Sequence, residues 1–345
     1  MYRPFFSIVI PTYNRASYLK IAIRSILRQD FDNYEIVISD NASADNTAKV
    51  CQSFKDKRIR YVKNKVNIGF NRNLYKVIKL ALGNYIFILG DDDFILKKTT
   101  LSSAFYKIKK NRYGLIRLRF IYSNGSKKLF STYFNNNKEL ILRKKSTNID
   151  LLKFLYDKAI FGFISGLVFK NINNVKIVEI EKTSKNNFEI SNFWISFLFP
   201  AVKLAGACID LENPIIAKWP NYKNPQFYNV KSGKLPNERI WKLFFQYLNK
   251  TEKKTWIKRE INGMTHLLPS IKYYSNNKNL FLYSKRMLEV DKFLYKNWFF
   301  YFSLLVAFFM PNFLWRFLRK IFHNQCFVKD KTIYEEIKEF EKEKK

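Results

Sequence analysis

Phe5-Phe6-Ser7-Ile8-Val9-Ile10-Pro11-Thr12-Tyr13-Asn14 is the stretch from which the fold can be read. The run over 5–10 is short, apolar and rich in β-branched residues, and Pro11 stops it, as expected of a buried strand feeding a loop. Beyond the loop Tyr18, Leu19, Ala22, Ile23, Ile26 and Leu27 recur at helical spacing, with Asn14 and Ser17 available as caps. The unit then repeats: a strand over 34–38, a polar turn over 39–45 and a helix over 47–54, then a strand over 59–62 and a helix over 73–82. A fourth apolar strand covers 85–89. Strands alternating with helices predict a parallel sheet covered on both faces. Residues 1–96 therefore read as a doubly wound α/β half, in which ligands bind outside the carboxyl ends of the strands. Three polar loops gather at that edge: Pro11-Thr12-Tyr13-Asn14, Asp40-Asn41-Ala42-Ser43 and Asp91-Asp92-Asp93.

The third loop carries the strongest chemical signal. An uncharged strand ending at Gly90 runs straight into three carboxylates. Like charges so crowded repel unless a cation sits among them, which makes a hard divalent metal, Mn²⁺ or Mg²⁺, a natural partner. Such an ion can also neutralise a diphosphate leaving group. The bland alternative is the acidic first turn of a following helix, where aspartates meet the helix dipole favourably. In the same way Thr12 and Asn14 could end a strand and cap a helix, and Asp40 with Ser43 could form an Asx turn.

The bulk properties restrict the function classes. At 345 residues and 47% hydrophobic content the chain can bury a full core. Its 62 Lys and Arg against 28 Asp and Glu leave a charge of +34, spread along the chain, which suits polyanions, nucleoside diphosphates or anionic lipid. Cys51, Cys208 and Cys326 are distant and odd in number, so neither a disulfide framework nor a zinc knuckle is expected, and a cytoplasmic setting is. Pro11 falls too early for a signal peptide, and no Walker sequence is present. His266 and His323 are isolated and match no ligand spacing. Further elements are expected as a helix near 101–110, strands over 114–120, 129–134 and 164–169, a helix over 193–204 and a short strand over 215–218.

Ser7-Ile8-Val9-Ile10-Pro11-Thr12-Tyr13-Asn14-Arg15 is followed by Glu35-Ile36-Val37-Ile38-Ser39-Asp40-Asn41-Ala42-Ser43-Ala44-Asp45. Asn67-Ile68-Gly69 with Arg72-Asn73 comes next, and then the triple aspartate. In order and spacing this set resembles the family 2 glycosyltransferases of GT-A fold, over about the first hundred residues. The resemblance implies a Rossmann-like mixed sheet flanked by helices, an inverting transfer from a nucleotide sugar, and a divalent metal. It implies that Pro11, Thr12, Tyr13 and Asn14 border the nucleotide, with Tyr13 offering a stacking face, and that Asp40 accepts from the imide N–H of the base. Asn67 and Arg72 would line the nucleotide or diphosphate. Asp91 or Asp92 would contact the ribose, and Asp93 would hold the metal. The chain departs from the family pattern at Gly90, where an acidic residue is usual. The base that deprotonates the acceptor is expected about one hundred residues after the aspartates, just before a helix. Glu189 has that address, with Glu179, Glu181 and Asp210 as rivals.

The domain reading is a glycosyltransferase domain over 1–230, divided into a nucleotide-binding half (1–96) and an acceptor-binding half (97–230), and an aromatic-rich helical region over 231–345. Residues 298–310 are almost wholly apolar, but Pro311 and Asn312 interrupt them short of the ~20 residues a span needs. Over 313–322 a helical wheel puts Arg316, Arg319 and Lys320 opposite Leu314, Phe317, Leu318 and Ile321, as in a helix lying flat on anionic lipid. The expected partners are thus a nucleotide sugar, probed first as a UDP sugar, a saccharide or lipid-linked saccharide acceptor, and the inner face of the cell membrane. A sugar-nucleotide pyrophosphorylase would need a Gly-rich loop after the first strand, which is absent. A nucleic-acid-binding protein is disfavoured by carboxylates at the ligand edge, and an inactive partner subunit is the remaining alternative.

Overall fold

The structure, a computed structural model, describes residues 3–123, 129–131, 140–142, 148, 150–151, 164–172, 195–218, 245, 248–265, 268, 277–290, 292–311, 313–314, 326–327, 333, 335–337 and 339. The chain divides into two compact units, Met1–Pro220 with Cys326–Lys345, and Asn221–Gln325.

The first unit begins with β1 (Phe6–Thr12), α1 (Ala16–Leu27), β2 (Tyr34–Asp40), α2 (Thr47–Ser53), β3 (Ile59–Lys63), α3 (Phe70–Leu80) and β4 (Tyr85–Ile88). β1 lies between β2 and β4 and runs parallel to both, with β3 parallel outside β2. All of β1 is buried, because a central parallel strand has no solvent face. Its apolar side chains Phe6, Ile8 and Ile10 pack with Ile36, Ile38, Phe87 and Leu89 and with the α1 stripe Leu19, Ala22, Ile23 and Ile26. That stripe has the i, i+3, i+4, i+7 spacing of a helix with one buried face.

Beyond β4 the sheet becomes mixed. β5 (Asp93–Ile95), α4 (Thr100–Asn111), β6 (Leu115–Ser123), β7 (Leu129–Ser131), β8 (Leu140–Leu142), β9 (Leu167–Lys170), α5 (Ile195–Ala205), β10 (Ala207–Lys218) and β11 (Cys326–Phe327) complete this unit among the described residues. β9 inserts antiparallel between β4 and β6. β10 runs parallel to β6 and pairs antiparallel with β5 and β8. The result is a single mixed sheet flanked by helices, as expected for the GT-A fold.

Several local expectations change. Neither Asn14 nor Ser17 caps α1: Arg15 is the N-cap residue, and the Ala16 N–H is satisfied by Asp45 Oδ2 at 3.0 Å. The strand expected over 215–218 is the second half of β10, whose pairing with β6 shifts register between Asp210 and Ile215. There Asp210 Oδ1 accepts from the backbone of Glu212 and Asn213, a local turn that reads as a strand end in sequence. Asp93 begins a strand and not a helix, so the aspartates are not an acidic first turn. The last twenty residues return to the first unit through the β11–β7 pair and through Ile333, which packs with Phe94, Leu96, Ile121 and Ile216; the reading of 231–345 as one region did not foresee this.

The second unit holds α6 (Lys250–Thr265), α7 (Asn277–Val290), a 3-10 turn over Lys292–Lys296 and α8 (Trp298–Phe309). α6 starts with a reciprocal cap, Asn249 Oδ1 accepting from Glu252 N–H at 2.9 Å and Glu252 Oε2 from Asn249 N–H at 3.0 Å. Trp256, Leu280, Tyr283, Met287, Leu294, Phe300 and Ala307 are among its buried side chains. Residues 315–322, His266 and His323 lie outside the described residues.

Candidate active site

The loops after β1 and β2 are tied together before any ligand enters. Asn14, held at φ 53°, donates its backbone N–H to Ser43 Oγ at 2.9 Å and accepts the Ala44 N–H on Oδ1 at 2.8 Å. Asp40 is fully buried beneath them. Its Oδ1 accepts from Ser43 N–H at 2.8 Å and its Oδ2 from the Tyr61 hydroxyl. Burial first, and then this bond to Asp40, push the Tyr61 hydroxyl above its ordinary range. Asp40 thus closes the Asx turn, and it is not among the residues that line the cleft.

An amide floor joins the second loop to α3. Asn41 Nδ2 donates to Asn67 Oδ1 at 2.7 Å, and Asn41 Oδ1 accepts from Asn64 Nδ2 and from the Ile68 N–H. Asn73 accepts from Ser39 Oγ at 2.7 Å and returns a bond to the Ser39 carbonyl at 2.8 Å. Gly69 precedes α3 at φ 81°, a left-handed conformation that glycine adopts without strain. Arg72, on the exposed side of α3, is not among the cleft-lining residues.

The carboxylates form the opposite wall. Thr12 Oγ1 donates to Asp91 Oδ2 at 2.7 Å, and the Arg15 guanidinium pairs with Asp92 and stands 3.7 Å from Asp91. Burial lifts the Asp91 carboxyl to about 6; the Thr12 bond lowers it, Asp92 raises it and Arg15 lowers it. Arg15 is raised in turn: burial works against its charge, but Asp92 and Asp91 outweigh that cost. Asp93 accepts from Ser165 Oγ, which itself accepts the Gly90 N–H at 2.7 Å. The departure at Gly90 now has a physical cause. A Cβ there would meet Asp93 Oδ2 at 2.7 Å, Ser165 Oγ at 3.0 Å and Asp92 Oδ1 at 3.2 Å, so a side chain fits only if these groups shift.

These walls enclose a cleft of about 510 Å³ lined by Pro11, Thr12, Tyr13, Asn67 and all three aspartates, among other residues. Arg15, Asn41, Gly69, Phe70, Asn73 and Ile164 also border it and had no assigned role in the sequence reading. A larger hollow of about 870 Å³ opens beside Phe5, Tyr85 and Lys170, at the opposite ends of the strands. No loop that follows β1, β2 or β4 reaches it, so size does not choose the site. Glu189, Glu179 and Glu181 lie outside the described residues. Asp210 is fully buried at the break in β10, 3.2 Å from Lys107 Nζ, and does not line the cleft.

Oxygen donors suit a hard cation, and Asp91, Asp92 and Asp93 share one wall. Among the described residues no group of three or more His, Cys, Asp or Glu forms a ready-made metal site. That is compatible with Mg²⁺-type binding, which uses one or two carboxylates and completes its shell with substrate phosphates and water. The donor chemistry fits.

A cleft at the carboxyl edge of a mixed sheet, walled by a run of aspartates, is the arrangement that the GT-A fold predicts. Residues 7–166, somewhat under half of the chain, match the family described as Glycosyl transferase family 2. It is 33% identical over 180 residues to abequosyltransferase RfbV of Salmonella typhimurium, covering 48% of this chain and 52% of that protein. It is 40% identical over 96 residues to the GalNAc(5)-diNAcBac-PP-undecaprenol beta-1,3-glucosyltransferase of Campylobacter jejuni, covering 27% of this chain and 31% of that one. The chain thus spans about half the length of the first relative and about a third of the second. The crystal structure of S. aureus TarS 1-349 in complex with UDP superposes with a TM-score of 0.50 at 18% identity, covering 82% of this chain and 90% of that one. At that identity the likeness is one of fold.

Proposed function

We propose that the protein transfers a sugar from a nucleoside-diphosphate sugar, with UDP as the first choice of nucleotide, to a hydroxyl of a saccharide acceptor with inversion at the anomeric carbon. The acceptor in this reading is lipid-linked and belongs to cell-surface glycan synthesis, which puts the enzyme on the inner face of the cell membrane. The observation that carries the reading is the convergence of Thr12, Asn41, Asn67 and the aspartates on one cleft within the family domain. The names of the two curated relatives, both sugar transferases, support it.

In this mechanism the base stacks on the exposed ring of Tyr13 and meets the amides of Asn41 and Asn67. Asp40 holds the turn beneath the base, and any contact with its imide requires Asp40 to be uncovered. Asp91 or Asp92 takes the ribose hydroxyls, and Arg15 is placed to exchange its carboxylate partner for a diphosphate oxygen. Asp93, with a neighbouring aspartate, would hold Mn²⁺ or Mg²⁺, which supplies charge neutralisation to the leaving diphosphate. Glu189 takes the proton from the attacking hydroxyl, on the strength of its position in the sequence before a helix. The test is to incubate the purified chain with a panel of nucleotide sugars and Mn²⁺ and to measure nucleoside-diphosphate release. Slow hydrolysis of one donor, lost in EDTA, is expected. Thermal protection by a nucleotide without hydrolysis or transfer would favour an inactive partner subunit, and no protection by any nucleotide would overturn the reading.

A further inference from the structure

α8 is built inside out. Its covered residues are Phe300, Ser303 and Ala307, so the hydroxyl of Ser303 faces the rest of its unit. Trp298, Tyr301, Phe302, Leu305, Phe308 and Phe309 are between 39 and 75% exposed. At 100° per residue these six span about 120° of the helical wheel, centred opposite the covered three. Phe313 and Leu314, just past the helix, are exposed as well. A continuous patch of large apolar side chains on a soluble surface marks a contact with lipid or with another chain.

Charge chooses the occupant. The unit Asn221–Gln325 carries 19 Lys and Arg against 5 Asp and Glu. Two copies meeting face to face on this helix would bring those charges together, whereas anionic headgroups would neutralise them. Lys285 and Lys296 are exposed on the same unit, Lys296 immediately before the helix, and Arg316, Arg319 and Lys320 follow it in sequence. The twelve residues of α8 are about 18 Å long, against a hydrocarbon core of about 30 Å. No helix among the described residues is long and apolar enough to cross a membrane.

We propose that α8 seats its exposed face in the interfacial layer of an anionic bilayer, lying parallel to the surface as a monotopic anchor. Trp298 and Tyr301, apolar bodies with polar tips, suit the headgroup boundary. The purpose of the anchor rests on the reading of a lipid-linked acceptor, but its test does not.

The test is flotation of the full-length chain with vesicles of phosphatidylcholine alone and with equal parts of phosphatidylcholine and phosphatidylglycerol. The protein is expected to float with the anionic vesicles at low salt and to be released as salt rises. A triple variant, Phe302→Ser with Leu305→Ser and Phe309→Ser, changes only exposed residues; it should keep its circular dichroism and donor hydrolysis and lose roughly tenfold or more in binding. Wild-type protein that stays in the soluble fraction with anionic vesicles would overturn the proposal, as would a triple variant that floats equally well. So would a wild-type dimer by light scattering that the variant converts to monomer while neither floats. Flotation without any donor hydrolysis leaves the anchor standing and removes the transferase reading.

Discussion

Thr12 Oγ1 and Asp91 Oδ2, 79 residues apart in sequence, meet at 2.7 Å and join the loop after β1 to the loop after β4. The acceptor in this bond is a carboxyl that burial has lifted from 3.8 to about 6. Between those two values the folded chain keeps a proton that the unfolded chain has released, so stability falls as pH rises through the window. The full cost, about 3 kcal/mol, stands above pH 6. In metal-free protein Asp91→Asn should therefore match wild type below pH 4 and be more stable above pH 6. Denaturant melts across that range check it, and a difference that does not change with pH would refute the assignment.

Gly90→Ala tests the crowding behind the aspartates. Its Cβ pushes against Asp93 Oδ2, Ser165 Oγ and Asp92 Oδ1, and overpacking of this kind costs about 1–3 kcal/mol. A lower melting temperature with weaker donor binding is expected. Unchanged stability and affinity would mean that the Asp93–Ser165 pair moves aside freely.

Asp93→Ala should abolish divalent-dependent donor hydrolysis while the ligand-free protein stays folded, because the cluster proposed to hold the cation loses a member. The comparison is wild type and variant, each with Mn²⁺ and with EDTA. Full activity of the variant in EDTA would remove the metal from the mechanism.

Asp40→Ala should show in stability before it shows in affinity. It leaves the buried Ser43 N–H and the half-buried Tyr61 hydroxyl without their acceptor, and a fully buried loss of this kind costs about 1–3 kcal/mol. A base contact would add a rise in KM for the donor with little change in kcat. Melting curves and donor KM separate the two roles; a stable variant with normal KM would discard both.

The four parallel strands of the first half and the three converging loops were legible because each is a local pattern: an apolar run, a stop and a polar turn. What was not legible depends on distant partners. Ser165 gives no periodic or motif signal, yet it supports both Gly90 and Asp93 from 72 or more residues away. Arg15 was visible within a motif, but its pairing with Asp92 needs the β1–β4 register. The antiparallel insertion of β9 could not be read because strand direction leaves no trace in a short apolar run. The inward face of α8 was hidden for a related reason. When nearly every residue of a helix is apolar, periodicity cannot say which side is covered.

The proposed base is best tested against Asp210, the rival whose surroundings are described. Asp210 is fully buried, accepts from the backbone of Glu212 and Asn213 and from Asn213 Nδ2, and lies 3.2 Å from Lys107 Nζ. Among the described residues these contacts hold the break in β10 and tie it to α4. Asp210→Asn should therefore lower the melting temperature, by removing a buried charge partner of Lys107, and leave acceptor transfer per folded molecule close to wild type. Glu189→Gln should behave in the opposite way: the amide keeps the shape but cannot take a proton, so kcat for transfer falls roughly 10²–10⁴-fold. Donor affinity and stability should be nearly unchanged, since the loss is confined to the acceptor step. The measurement must follow transfer to an acceptor, because donor hydrolysis by water can bypass the base. If Glu189→Gln transfers at the wild-type rate while Asp210→Asn stays folded and inactive, the proton goes to Asp210 and the site extends to the break in β10.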